Sequence, residues 1–496
     1  MKSSRRAWWW RFTAFLTLGS MILAACGSSG GSATTTAAPA AGTSSSAGTS
    51  SSAGTSATAP VAASAASGGA TQSSAAAGAG PKLNTNVSGT IDLWHFWSSP
   101  LRRTAIRRVI SICQAKLPGI KVNETPKPFG DIWTANIAAV AAGSGMPDVI
   151  VEDRPQLVQR AKDNIDTNLA DYATRDGIDG SQFWPFTWKE ATVDGKPYGI
   201  PYETDVRVLY WNKQAFKEAG LDPEKPPKTW DELSSYADKL DKKNPDGSYA
   251  RIAFHPDLGN AGWNVWSRTN GAELVKDGKP AANDPKVVET FDWIKKWYDR
   301  YGGYAAVQKL ISTFGAPPND AFMSGKVAMI LDINGYSSVL NFYNPKVAVQ
   351  GADGKTTQQA LDVGISDPPY SASYGKPASW SGGFALAIPR GSKHADAAWE
   401  FIKCASGPDG AASWSRDTSS MSANITASKD PALMGDPRWQ FFLKAMDYSQ
   451  GTTVVPKYAN WGQEVDKQRE AIYKGQTPTK AALDQAQQRI DAQLAK

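Results

Sequence analysis

The amino-acid sequence predicts an α/β body of two lobes, set behind an export signal and a long uncharged tract. Three observations carry this. About 410 residues follow Val87, too many for one simple core. Short apolar strands alternate with helical stretches through that body, the pattern of α/β architecture. The first eighty residues cannot belong to it, because they hold one apolar run and then almost nothing a core could use.

Taking the chain in order, Lys2, Arg5, Arg6 and Arg11 form a basic leader ahead of the apolar run Phe12 to Ala25. That run has about 14 residues, within the signal-peptide range and below the roughly 20 of a spanning helix. Residues 1–25 are therefore expected to be a signal peptide. Leu23-Ala24-Ala25-Cys26 followed by Gly27 resembles a bacterial lipobox, which implies a diacylglyceryl thioether on Cys26 and attachment to the extracytoplasmic face of the cell membrane. Residues 26–86 are expected to be a tether, because the Ser/Thr/Ala/Gly tract offers too little apolar surface to offset the entropy of ordering.

In the body, Thr90 to Trp94 reads as a first strand, with a loop His95 to Pro100 and a helix whose apolar face includes Ile106, Val109, Ile110 and Cys113. Further strands are expected at Ile120 to Val122, Met146 to Val151, Val206 to Trp211, Val327 to Leu331 and Phe384 to Ile388. Helices are expected over Phe291 to Tyr298, Ala395 to Lys403 and a last stretch striped by Leu483, Ala486, Ile490 and Leu494. Cys113 and Cys404 either pair or remain two buried thiols. Charged residues make up 20% of the chain and the net charge is +6, with basic and acidic residues interleaved, which excludes a nucleic-acid footprint.

Eight segments in order carry a resemblance: Ile91 to Trp97, Pro147-Asp148-Val149, Gly195 to Pro201, Leu209 to Lys213, Lys228 to Leu233, Gly325 to Met329, Ser381 to Phe384 and Ala397 to Ile402. Together they resemble the family 1 extracellular solute-binding proteins of bacterial ABC importers, the group that includes the maltose-binding protein. Trp211 departs from the usual Tyr of one segment and keeps a large aromatic there. The resemblance implies a two-lobe periplasmic-binding-protein-like fold with a hinge and an interlobe cleft, crossed near Asp205, Asn334 and Pro389. It places 87–205 and 336–389 in lobe 1, and 206–335 and 390–496 in lobe 2. It implies a monomer that captures a sugar or oligosaccharide and delivers it to ABC importer membrane subunits, with no cofactor and no metal.

Sugar sites set aromatic rings against pyranose faces and aim carboxylates, amides and Arg at hydroxyls. The chain has 19 tryptophans, more than packing needs. Trp97 with Ser98, Trp263 with Asn260, Tyr336 with Gly335, Trp380 with Ser381 and Gly382, and Trp461 lie in loops where the family binds ligand. Trp230, Trp293, Trp297 and Trp399 fit helix faces and are expected to pack. The polar candidates are Glu152 and Asp153 after one strand, and Glu203, Asp205 and Arg207 on one face of another. The alternative for Asp205 and Arg207 is an internal ion pair without ligand. A glycoside hydrolase using Glu203 and Asp205 is the competing class. No Gly-x-Ser-x-Gly, His-Glu-x-x-His or Cys-x-x-Cys supports other chemistry, and the three His are dispersed.

Overall fold

The computed structural model describes residues 80–350 and 355–496. Cys26, the expected signal segment 1–25 and the tract 26–79 lie outside the described residues. The first lobe is built on a six-stranded sheet in the order Met421–Ser422, Ile200–Thr204, Gly383–Ala387, Val149–Asp153, Gly89–His95, Ile120–Pro126. Its first three strands in sequence pair in parallel, as their crossover helices Pro100–Lys116 and Asp131–Ala142 require. Ser99 caps the first of these helices by accepting the Arg102 N–H, and Pro100 opens it. Its stripe of Ala105, Ile106, Val109, Ile110 and Cys113 is buried against the sheet's core.

The second lobe carries a three-stranded antiparallel sheet, with Arg207–Asn212 between Met329–Ile333 and Val363–Ser366. Helix Trp230–Leu240 begins with a reciprocal cap, Thr229 accepting from the Glu232 N–H while Glu232 accepts from the Thr229 N–H. Trp230 stacks on Trp293 with centroids 4.2 Å apart, and Trp297 and Trp399 are also buried, so these four rings pack.

Cys113 and Cys404 form a disulfide across a separation of 291 residues, tying helix Pro100–Lys116 to helix Ala395–Ser406. The second of these helices belongs to the first lobe, which corrects the expected boundaries. Ala397, Trp399, Phe401, Ile402 and Trp414 all sit in the first lobe's core. Conversely Tyr336 and Leu340 sit in the second lobe's core, and Val363–Ser366 pairs in its sheet, so most of 336–389 lies there. A helix's apolar stripe says that it is covered, not by which sheet.

The chain passes between lobes from Thr204 to Arg207, returns over Trp380–Gly383, and leaves the first lobe between Ser428 and Pro437. Neither Asn334 nor Pro389 is a crossing. Asn334 is a buried clasp: its N–H donates to Val206 O at 3.0 Å, its Oδ1 accepts from Val206 N at 3.0 Å, and its Nδ2 donates to Ser419 O at 2.6 Å. Pro389 bridges to Asp166 inside the first lobe. The expected tether also ends early. Leu83 packs on the first lobe's core, Asn84 N donates to Glu400 at 2.8 Å and Lys403 donates to Lys82 O at 2.9 Å, so residues 80–86 belong to the body.

Candidate functional site

A cavity of about 680 Å³ opens between the lobes at the first two crossings, beyond the carboxyl ends of Val149–Asp153 and Ile200–Thr204. Asp153, Asp205, Arg207, Asn260, Trp263, Trp380, Gly382 and Trp461 of the expected set line it.

Arg207 organises the polar side. Its guanidinium donates from Nη1 to Asp205, from Nη2 to Asn260 Oδ1 at 2.8 Å and from Nε to Asn260 O at 3.3 Å. It also lies 3.9 Å from the Trp380 ring centroid, a cation–π contact on one face of that indole. Asp205 accepts the Gly382 N–H at 3.0 Å as well. Ion pair and cavity wall are thus the same two residues. Gly382 permits this approach, since a Cβ there would stand 3.2 Å from Arg207 Nη1 and 3.4 Å from Asp205 Oδ2. Burial pushes the Arg207 pKa down, while Asp205 opposes that shift.

The tryptophans are held by their ring nitrogens. Trp380 Nε1 donates to Thr452 Oγ1 at 3.1 Å, Trp263 Nε1 to Asp466 Oδ1 at 3.0 Å, and Trp461 Nε1 to Thr453 O at 3.2 Å. Their N–H groups are satisfied by protein, so what they turn to the cavity is apolar ring surface. Trp263 and Trp461 meet edge-on at 6.1 Å.

Alternation along the strands explains the expected residues that fall elsewhere. Ile91, Leu93, His95 and Trp97 are all buried, so period two continues past the strand's end. Trp97 therefore lies in the core, 4.3 Å from Trp414, and its neighbour Phe96 lines the cavity instead. The same rule separates Glu152, wholly buried 3.5 Å from Arg160, from Asp153. Burial and then the charge of Asp166 push the Glu152 pKa well up, whereas burial raises Asp153 to about 6. Ser98 is exposed outside the cavity. Ser381 is buried behind the wall, its N–H on Gln450 O at 2.9 Å. Gly335 and Tyr336 line a second cavity of about 510 Å³.

Unforeseen wall residues come from both lobes. Phe96, Phe384 and Phe129 form an aromatic patch on the first lobe, with Phe96 centroids 4.6 Å from Phe384 and 5.1 Å from Phe129. Phe129, at 66% exposure, stands at the Pro-Phe-Gly turn before helix Asp131–Ala142. An exposed aromatic at a turn is the signal that sequence reading passed over. Arg268 is buried and donates to Asn264 O at 3.1 Å and Gly451 O at 2.9 Å; burial lowers its pKa to about 10. Glu203, which was among the expected polar candidates, also lines the cavity while its Oε2 accepts the Trp414 indole N–H at 2.7 Å. In all, four arginines (102, 207, 268 and 469) face four carboxylates (153, 203, 205 and 466), so the lining has no excess charge for an anion.

Comparison with known proteins agrees with this architecture. The family profile described as bacterial extracellular solute-binding protein matches residues 109–439. Among curated relatives, the sn-glycerol-3-phosphate-binding periplasmic protein UgpB of Escherichia coli O6:K15:H31 is 32% identical over 204 residues, 40% of this chain and 43% of that protein. The chain thus matches less than half the length of this relative. Among solved structures, CpMnBP1 with mannotriose bound superposes with a TM-score of 0.70 at 27% identity, over 81% of this chain and 99% of that one. The GacH receptor of Streptomyces glaucescens, solved unliganded and with acarbose, has a TM-score of 0.66 at 19% identity, over 83% and 99% of the two chains, and shares the fold. With a two-lobe α/β body, a cleft at its crossings and a family match over most of the body, the chain belongs to the bacterial extracellular solute-binding proteins.

Proposed function

We propose that this chain captures a neutral sugar or short oligosaccharide between its lobes and delivers it to the membrane subunits of an ABC importer. The observation that carries this reading is the wall itself: apolar indole surface with its N–H groups already bonded, beside carboxylates, amides and arginines in equal charge. Pyranose rings present apolar C–H faces and hydroxyls, which such a wall complements. A phosphate-bearing ligand of the kind named for UgpB is disfavoured, because each cavity arginine except Arg268 has a carboxylate within 4 Å. CpMnBP1, whose bound ligand is mannotriose, supports the carbohydrate class. Glycoside hydrolysis is the weaker reading. Asp205 Oδ1 is tied to Arg207 and the Gly382 N–H and Glu203 Oε2 to the Trp414 N–H, so both carboxylates already serve the wall's own hydrogen bonds.

The decisive experiment is a thermal-shift screen of the Cys26→Ala chain against neutral mono- and oligosaccharides and sn-glycerol-3-phosphate. A ligand at 100 times its Kd stabilises by about 2.7 kcal/mol. Stabilisation by a neutral sugar supports the reading, and a shift with the phosphate alone replaces it. Anchoring through lipid on Cys26 is the second half of the proposal, tested by fatty-acid labelling of the exporting cell: Cys26→Ala is expected to lose the label.

A further inference from the structure

Arg154 and Glu190 form an ion pair behind the wall of the first cavity, and neither lines it. Both belong to the first lobe, Arg154 just past strand Val149–Asp153 and Glu190 near the end of helix Pro185–Ala191. Arg154 is 0% exposed and Glu190 3%, so each charge relies on the other for compensation. Arg154 Nε donates to Glu190 Oε2 at 3.0 Å. Its other nitrogens donate to backbone beside both lobe crossings, Nη1 to Glu203 O and Nη2 to Gly382 O at 2.6 Å. The guanidinium thus fixes the carboxylate from one side.

The second oxygen of Glu190 reaches across to the other lobe, where Oε1 accepts the Thr452 N–H at 2.5 Å. A Cβ on Gly451 would overlap Glu190 Oε1 and stand 2.8 Å from Phe186 Cδ2, so the loop comes this close only because that residue has no side chain. Three wall residues hang on the same loop. Arg268 donates to Gly451 O at 2.9 Å, the Trp380 indole to Thr452 Oγ1 at 3.1 Å and the Trp461 indole to Thr453 O at 3.2 Å. An ion pair this deep adds little stability by itself, since desolvation offsets the attraction, so its use lies in what it holds in place.

We propose that Glu190, fixed by Arg154, is a positioning residue for ligand capture. It grips Gly451–Thr453 from the opposite lobe, and through that loop it sets Trp380, Trp461 and Arg268 against the ligand. This rests on the sugar reading and adds to it a residue outside the cavity on which affinity depends.

Two variants of the Cys26→Ala chain test it. Gly451→Ala pushes the loop off Glu190 while leaving the ion pair whole, and Glu190→Asp keeps the charge for Arg154 while shortening the reach to Thr452 by one methylene. Melting curves establish that both fold. Hydrogen–deuterium exchange without ligand is expected to be at least tenfold faster in both variants for the peptide spanning 451–453, with strand Val149–Asp153 unchanged. Calorimetric titration with mannotriose and maltotriose is expected to show Kd at least tenfold higher for whichever binds, a change that a purely structural pair would not produce in a folded variant. A loosened loop with Kd within twofold of the parent chain makes the pair structural only, and unchanged exchange means that Glu190 does not hold the loop; either overturns the proposal and leaves the sugar reading standing. Failure of both trisaccharides to bind the parent chain overturns the sugar reading and the capture role with it, and the exchange arm alone then decides the grip.

Discussion

Replacing Phe129 with Ala separates ligand contact from folding more cleanly than any other change at the cavity. The ring is 66% exposed, and its protein contacts are edge-on, 5.1 Å from Phe96 and 5.0 Å from Trp133 between centroids. Such edge contacts are worth about 0.5–1.5 kcal/mol each when complete, so the folded chain is expected to lose about 1 kcal/mol. The binding term is larger. A Phe side chain offers roughly 150–250 Å² to burial, of which about two thirds is still open here, or roughly 100–165 Å². A pyranose covers one face, about half of that area, and at about 25 cal/mol per Å² this contributes about 1.2–2 kcal/mol. The dissociation constant is therefore expected to rise about 8- to 30-fold. Calorimetric titration with the tightest sugar gives the affinity, and urea unfolding gives the stability. Unchanged affinity within twofold in a normally stable variant would refute the assignment of this aromatic patch to the ligand.

Asp205→Ala removes the carboxylate that neutralises buried Arg207, so it is expected to cost about 3–5 kcal/mol of folding stability. Asp205→Asn keeps an acceptor for Gly382 N and should cost less; equal losses by urea titration would mean that the charge is unimportant. Removing the Cys113–Cys404 disulfide by double Ser substitution is expected to lower stability by about 2–5 kcal/mol, since it closes a loop of 291 residues, and an unchanged unfolding midpoint would contradict this. Burial raises Asp153 from 3.8 to about 6, so its ionisation disfavours the folded state: that component of stability is present at low pH and is lost as pH rises through about 6. Ligand hydroxyls donating to the carboxylate offset this cost, so sugar affinity is expected to strengthen from pH 5 to 7.5, and Asp153→Asn should flatten the profile.

What the sequence made legible was mostly local. Strand period two is visible in Ile91, Leu93 and His95, and carried two residues further it separates core Trp97 from cavity Phe96. The size of tryptophan drew attention to the wrong member of that pair. The same period separates Glu152 from Asp153, because a strand that ends at the cleft turns one side chain inward and the next outward. Asp205 and Trp380 are placed at the cleft by the family resemblance and Arg207 by strand alternation with Asp205, and all three line it where the chain changes lobe, although no crossing was expected at Trp380. Lobe membership was not legible for Ala395–Ser406 or for the stretch after Tyr336. The stripes of those segments are satisfied equally well by either sheet, and only the fold's long-range packing chooses. Tyr336 is the instructive middle case, an aromatic beside the cleft that faces a second cavity.

The placement of Arg207 bears on how capture relates to the lobes. Asp205 belongs to the first crossing, Trp380 to the second, and Asn260 to the second lobe; the Arg207 side chain touches all three. A ligand that hydrogen-bonds to Asp205 or lies on Trp380 therefore contacts the segments whose backbone sets the angle between the lobes. Hinge closure around a ligand is a known element of such transitions, and a ligand shifts such an equilibrium only by its differential affinity for the two arrangements. Here that difference has a physical source. The first lobe contributes Phe96, Phe129 and Phe384, and the second contributes Trp263 and Trp461, so the full set of apolar contacts exists only when both walls touch the same ligand. Single-wall contact gives affinity without preference for closure, whereas contact with both walls and the crossings couples occupancy to lobe angle, the coupling that the proposed delivery to an importer requires.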